Sequence, residues 1–151
     1  MTDRDPGRER GPLPRSYLYV PGSAAEKLAK VRSRGADAII VDLEDGVAPD
    51  LKAEARAATA AWLANLDDCG PGGPEIWVRV NSGAAGLADI SAVFGPMLTG
   101  VCVPKVSAPG DLVPVRARLH DLRTVASPSR VPMLMPLVET ARGLLSVAEI
   151  A

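Results

Sequence analysis

The stretch "AIIVDLEDGVAPD", residues 38–50, decides the fold class, because it joins an uninterrupted apolar run to a cluster of acidic side chains. Four consecutive apolar residues without polar alternation predict a strand that is buried on both faces, as in a parallel sheet covered by helices. Asp42, Glu44 and Asp45 stand at the carboxyl end of this strand. Such close carboxylates repel one another, and where buried they need cations or hydrogen-bond donors. The stretch therefore predicts a parallel sheet with a polar site at a strand end.

Similar apolar runs occur on both sides of this stretch and alternate with Ala-rich segments of helical character. This alternation predicts five successive βα units and an α/β fold class. The predicted strands are "SYLYVP" (16–21), "AIIVDL" (38–43), "EIWVRV" (75–80), "GVCVPKV" (100–106) and "VPMLMPLVE" (131–139).

The intervening segments carry helix start and stop signals. In the first helix, "SAAEKLAKVRSRG", we expect Ser23 as the N-cap, Glu26 at the capping-box position and Gly35 as the C-terminal stop. Thr140 is a candidate N-cap for the last helix. The other predicted helices cover about 51–66, 86–98 and 110–125, and the last begins in "ARGLLSVAEIA" (141–151).

Two architectures fit five βα units. One is an open, doubly wound five-stranded parallel sheet, which the length of 151 residues favours. The other is part of a (β/α)8 TIM barrel, which in complete form needs eight units and roughly 200 residues or more. A receiver-like signalling domain also has five βα units, an acid cluster and a Lys at a strand end. It places its reactive Asp after the middle strand, whereas here the middle strand ends in Arg79, so this alternative is disfavoured.

Charged and polar residues end four of the five predicted strands. In parallel α/β folds these strand ends meet on one face, where ligands bind. The acid cluster suits a hard divalent cation, an Arg suits bidentate capture of a carboxylate, and a Lys suits a further anionic group. We therefore expect one polar site at this face. Its members are Asp42, Glu44 and Asp45 after the second strand, Arg79 and Asn81 on the third, Lys105 on the fourth and Glu139 on the fifth.

Composition excludes several classes of function. The formal net charge is −1 with an isoelectric point near 5.8, which lacks the basic excess that nucleic-acid binding requires. No apolar run approaches the ~20 residues of a membrane span. The N-terminal segment 1–14 is charged and rich in Pro and Gly, which predicts a disordered tail and not a signal peptide. Cys69 and Cys102 lack metal-ligand spacing. We expect a cytoplasmic protein without a membrane or nucleic-acid partner.

Five motifs, "RSYLYVPG", "VDLEDGV", "VRVN", "VPKV" and "PLVETARG...AEIA", occur in an order and spacing that resemble the citrate lyase beta-subunit and malyl-CoA lyase family. The resemblance covers residues 15–151 and implies an incomplete (β/α)8 barrel domain. It implies a Mg²⁺-dependent carbon–carbon lyase that cleaves citryl-CoA, malyl-CoA or a related 3-hydroxyacyl-CoA into an acyl-CoA and an oxo acid.

The resemblance also implies roles for individual residues. Arg79 binds the substrate carboxylate, Glu139 is both the metal ligand and a substrate contact, and Lys105 assists substrate binding. The acid cluster and Asn81 shape the pocket. The family's second metal-binding Asp and its last three βα units have no counterpart in this chain. We therefore expect either a fragment of a longer protein or a chain that a homo-oligomer or a partner chain completes, and we expect it to be inactive alone. A non-catalytic barrel remnant that binds a partner is the alternative.

Overall fold

The computed structural model describes residues 13–67, 73–126 and 132–151. The predicted tail, apart from residues 13 and 14, lies outside the described residues, and so does Cys69.

All five predicted strands are present and pair in parallel within one sheet. Their order across the sheet, β1-β2-β3-β4-β5, follows their order along the chain. A doubly wound sheet, including that of a receiver domain, reverses its strand order at a switch point, so both of those alternatives are wrong. Sequential parallel order is that of a segment of a (β/α)8 barrel. The strands are β1 Tyr17–Pro21, β2 Ala38–Asp42, β3 Glu75–Arg79, β4 Gly100–Val103 and β5 Met133–Pro136.

Helices follow each strand. The first begins after Ala24 without a side-chain cap, so the prediction of Ser23 as N-cap was wrong, because the chain leaves β1 through a backbone turn from Ala24 to Pro21. Gly35 ends the 3₁₀ turn after this helix with φ of 77°, as predicted. The Thr140 hydroxyl accepts a hydrogen bond from the Gly143 backbone N–H, which confirms that cap. The helices are α1 Ala25–Val31, α2 Lys52–Ala64, α3 Gly83–Val93, α4 Val113–Ala126, α5 Ala141–Leu145 and α6 Val147–Ile150.

The two faces of the sheet differ in what covers them. Helices α1 to α4 all contribute to one apolar cluster with alternate strand residues such as Ile39, Val41 and Val78, which are at most 1% exposed. The intervening strand residues form a second, smaller cluster on the opposite face, around Ile40 and Trp77. Within the described part of the chain, no helix has the length and apolar character needed to cross a membrane.

Candidate functional site

Asp42 and Arg79 form the centre of the site. Neighbouring strands β2 and β3 place these two residues opposite each other as the last register pair of that ladder. Arg79 Nε donates to Asp42 Oδ1 over 2.8 Å, and an Arg79 terminal nitrogen donates to Asp42 Oδ2 over 2.6 Å. A bidentate pair of this kind fixes the plane of the guanidinium. The Arg79 side chain is 16% exposed and that of Asp42 is 6% exposed, so little water competes for the pair.

The loop after β2 wraps around the same Asp42 carboxylate. The backbone N–H groups of Glu44 and Gly46 each donate to it over 2.8 Å. Burial raises the pKa of the Asp42 carboxyl, but the hydrogen bonds from Arg79, Glu44 and Gly46 outweigh burial and hold the pKa below its usual value. A β-carbon at Gly46 would overlap Asp42 Oδ2, so only glycine permits this loop path. Asp42 is therefore an ionised carboxylate that holds both Arg79 and the loop after β2 in place.

Glu44 and Lys105 extend the cluster towards solvent. Glu44 Oε1 pairs with Lys105 Nζ, which also lies 3.4 Å from Asp45 Oδ1. The hydrogen bond to Glu44 raises the pKa of Lys105. Lys105 has φ of 55°, a left-handed conformation that few non-glycine residues adopt outside constrained sites. Arg79 Nη1 lies 3.3 Å from Glu44 Oε2, yet that buried oxygen accepts no hydrogen bond from the residues described.

Tyr19 on β1 supports Arg79. The Arg79 guanidinium carbon lies 5.2 Å from the centre of the Tyr19 ring, a cation–π distance. Burial raises the pKa of the Tyr19 hydroxyl, and the charges of Asp42 and Glu139 raise it further while Arg79 lowers it. Arg79 ends β3, and Glu139 follows the end of β5 by three residues, so both stand on the carboxyl side of their strands.

Asn81 does not join this cluster through its side chain. Its Nδ2 donates over 2.7 Å to Asp89 on α3, which ties it to the helix layer instead.

Sequence reasoning missed Lys52, whose ammonium group binds the backbone carbonyl groups of Leu43 and Glu44. Asp89 had a signal in the sequence, since it is the one charged residue in α3 and precedes the buried Ile90.

Cys102 faces the same side of the sheet as Arg79, opposite it in the β3–β4 register. Its sulfur lies 3.7 Å from that of Met135. Burial raises the pKa of the thiol to about 12, so the thiol stays protonated at neutral pH.

The donor set fits magnesium in part. Glu139 is exposed and has no ion-pair partner in the described ranges, so its carboxylate is open to a cation. Across the same ranges, no group of at least three His, Cys, Asp or Glu side chains is arranged to hold a metal. Magnesium in enzymes commonly uses one or two carboxylates and completes its shell with water and substrate oxygens. Glu139 meets the first of these requirements.

Strands in sequential parallel order, with an oriented Arg at their carboxyl edge, define an α/β protein of the class whose functional sites lie at that edge. Residues 15–151 match the HpcH/HpaI aldolase/citrate lyase family, and the chain belongs to that family. This confirms the resemblance drawn from the motifs.

Three similar proteins illustrate the relationship. A (3S)-malyl-CoA thioesterase of Cereibacter sphaeroides is 40% identical over 139 residues, which are 91% of this chain and 44% of the relative. The mitochondrial citramalyl-CoA lyase of Homo sapiens is 36% identical over 137 residues, 87% of this chain and 39% of the relative. The citrate lyase beta subunit of M. tuberculosis, solved with oxaloacetate and magnesium, matches with a TM-score of 0.62 and 34% identity, over 89% of this chain and 51% of that one. The chain thus spans about half the length of these proteins or less.

Proposed function

We propose that this chain supplies the oxo-acid half of the active site of a Mg²⁺-dependent carbon–carbon lyase. The substrate class is citryl-CoA, malyl-CoA or a related 3-hydroxyacyl-CoA, and the products are an acyl-CoA and an oxo acid. The observation that carries this proposal is the Arg79 guanidinium, held by both oxygens of the buried Asp42 at the edge where Glu139 is exposed. The name of one relative, a citramalyl-CoA lyase, supports the same reaction class.

Arg79 is suited to hold a carboxylate in register. Two of its three nitrogens bind Asp42, and Nη1, which lies 3.3 Å from Glu44 Oε2, makes no hydrogen bond among the described residues. Because the guanidinium is already oriented, little rotamer freedom is lost when a ligand carboxylate binds. Asp42 and Tyr19 therefore prepare Arg79 for its ligand.

Glu139 and Lys105 serve the remaining groups. Glu139 offers an open carboxylate as a metal ligand, and Lys105 places its ammonium group beside the pocket, where it neutralises Glu44 and meets a further anionic group of the substrate. Magnesium, when bound, supplies a Lewis acid that polarises the oxygen of the 2-oxo or 2-hydroxy acid portion. Holding the substrate carboxylate at a fixed distance from Glu139 is the contribution of Arg79.

Additional βα units complete the site in this proposal. Within the described residues, β1 and β5 each pair on one side only, which leaves two strand edges open. Further units, from a longer polypeptide or from a partner subunit, would close the sheet and contribute the second carboxylate that the resemblance implies. Assembly as an oligomer and a cytoplasmic location belong to the same proposal.

The test measures ligand binding before catalysis. We expect oxaloacetate with Mg²⁺ to raise the melting temperature of the purified chain by mass action. Arg79→Lys should abolish this rise because Lys cannot keep the bidentate geometry, and Glu139→Gln should abolish its dependence on Mg²⁺. Arg116→Lys and Glu54→Gln, at exposed helical positions, are matched controls. An undiminished Mg²⁺-dependent rise in Glu139→Gln would contradict the metal role of Glu139.

A thioesterase is the second candidate, because the C. sphaeroides relative carries that name. The products separate the two reactions. Carbon–carbon cleavage of malyl-CoA yields acetyl-CoA and glyoxylate, whereas hydrolysis yields malate and free CoA thiol.

We expect no turnover by the 151-residue chain alone. The chain extended with the missing βα units of a close relative should form acetyl-CoA. An extended protein that folds but does neither reaction would favour a non-catalytic remnant.

A further inference from the structure

Asp89, on helix α3, is a fully buried carboxylate outside the cluster described above. Its Oδ1 accepts from Arg56 Nε over 2.6 Å. Its Oδ2 accepts from the Asn81 backbone N–H over 2.8 Å and from Asn81 Nδ2 over 2.7 Å. One side chain thus links α2, α3 and the segment that leaves β3. A buried carboxylate is costly without partners, and here every partner belongs to one of these three elements.

The hydrogen bonds to Asp89 begin where the backbone hydrogen bonds to neighbouring strands end. The Arg79 carbonyl accepts from the Leu43 backbone N–H over 2.9 Å, and the Val80 N–H donates to the backbone carbonyl of Cys102 over 3.1 Å. The next backbone N–H, that of Asn81, donates to Asp89 instead. The path of the chain just after Arg79 is therefore set by α3.

Helix α3 lies directly against this turn. A β-carbon at Gly86 would overlap the carbonyl oxygen of Asn81, so the helix approaches the turn as closely as glycine permits. A shift of Asn81 in one direction is blocked by this contact, and a shift in the other breaks the bonds to Asp89. Because Asn81 stands two residues after Arg79, such a shift moves the backbone that carries the guanidinium.

We propose that Asp89 is a positioning residue for Arg79, acting through Asn81. It keeps the end of β3 where the guanidinium meets both oxygens of Asp42. Its importance for ligand binding rests on the proposed function, in which Arg79 holds the substrate carboxylate. Its effect on the geometry of Arg79 does not.

The substitution that tests this is Asp89→Asn, which keeps the volume and replaces one acceptor oxygen by an NH₂ group. Either Arg56 or Asn81 then loses its acceptor. The control is Asp37→Asn at the opposite end of the sheet, where Asp37 accepts the backbone N–H groups of Arg15 and Ser16 and also pairs with an Arg. Both variants are studied at a temperature where circular dichroism shows a native fold.

The primary readout is the Arg79 Nε–Hε signal in ¹H–¹⁵N NMR spectra, assigned with Arg79→Lys. The bond to Asp42 should give this signal slow solvent exchange. We expect faster exchange and a changed shift in Asp89→Asn, and no change in Asp37→Asn. In the same samples, oxaloacetate with Mg²⁺ should bind Asp89→Asn about tenfold more weakly than wild type.

An unchanged Arg79 signal in folded Asp89→Asn would overturn the inference. If Asp89→Asn does not fold, Asn81→Ala removes one of the three bonds, and its Arg79 signal decides in the same way. A perturbed Arg79 Nε–Hε signal in either variant supports the inference, whether or not the wild-type protein binds oxaloacetate. Absence of oxaloacetate binding by the wild-type protein would contradict the proposed function and not the role of Asp89.

Discussion

The two ends of the sheet carry similar sets of residues in different surroundings. At the amino end, Asp37 accepts the backbone N–H groups of Arg15 and Ser16, and its side chain is 32% exposed. At the carboxyl end, Asp42 accepts two backbone N–H groups and binds Arg79, and its side chain is 6% exposed. The first arrangement ties down the start of β1. The second keeps ionised groups out of water, a costly arrangement that gives a fixed guanidinium in return.

The difference teaches that burial, and not residue type, separates a structural tie from a candidate site. The hydrogen bond from the Arg15 backbone N–H lowers the pKa of Asp37 more than any other contact does. The Arg15 side chain, which pairs with Asp37, is 89% exposed. At the other end, burial opposes ionisation of Asp42, and the hydrogen bonds from Arg79, Glu44 and Gly46 outweigh burial and lower its pKa. Variants at the two ends should therefore differ in the size of their effects.

Loss of Arg79 should have the largest effect on stability. Arg79→Met leaves the buried carboxylates of Asp42 and Glu44 without their shared cation, so we expect the free energy of unfolding to fall by about 3–5 kcal/mol. Urea denaturation measures this, with Arg15→Met, at the amino end of the sheet, as the exposed control. Equal losses in the two variants would remove the distinction between the ends of the sheet.

A β-carbon at Gly46 should have the next largest effect. Gly46→Ala forces Asp42 or its loop to move, because the added carbon overlaps Asp42 Oδ2. We expect a loss of about 1–3 kcal/mol in the free energy of unfolding. Gly110→Ala is the matched control, since a β-carbon there meets no atom within 4 Å. If Gly110→Ala lowers the free energy of unfolding by as much as Gly46→Ala, the close contact between Gly46 and Asp42 is not the cause of the loss.

Acid pH should separate the two ends more finely. Asp42 has a folded pKa below its ordinary value of 3.8, so its contribution is complete above pH 3.8 and is lost as the pH falls through the folded pKa. The free energy of unfolding, measured from pH 6 to about pH 2, should therefore decline less steeply in Asp42→Asn than in wild type. Asp37→Asn should flatten the same decline less, and a larger flattening there would reverse the comparison.

Asp37→Asn at neutral pH should have the smallest effect. Solvent screens the exposed partners of Asp37, and an amide oxygen still accepts from the Ser16 N–H. We expect a melting temperature lowered by less than in any variant at the carboxyl end, as measured by differential scanning calorimetry. A drop as large as that of Gly46→Ala would show that the amino end also depends on its carboxylate.

Much of the fold could be predicted because local signals carry it. The apolar runs located all five strands, and Gly35 and Thr140 were read correctly as a helix stop and a cap. The convergence of Asp42, Arg79 and Lys105 also followed from the sequence, since carboxyl ends of parallel strands share one edge. Ser23 was misread because a capping motif states a preference that the turn out of β1 overrides.

The sequence by itself determined the five βα units and the chemistry of the strand ends, because hydrophobic periodicity and turn residues act over only a few positions. Only the tertiary structure decided the strand order, since alternating elements are compatible with a doubly wound sheet as well as with sequential pairing. It also decided the partners of Arg79 and Arg56. Asp42 lies 37 residues from Arg79, and Asp89 lies 33 from Arg56. Which distant charges meet depends on how helices and strands pack, and no local pattern records that.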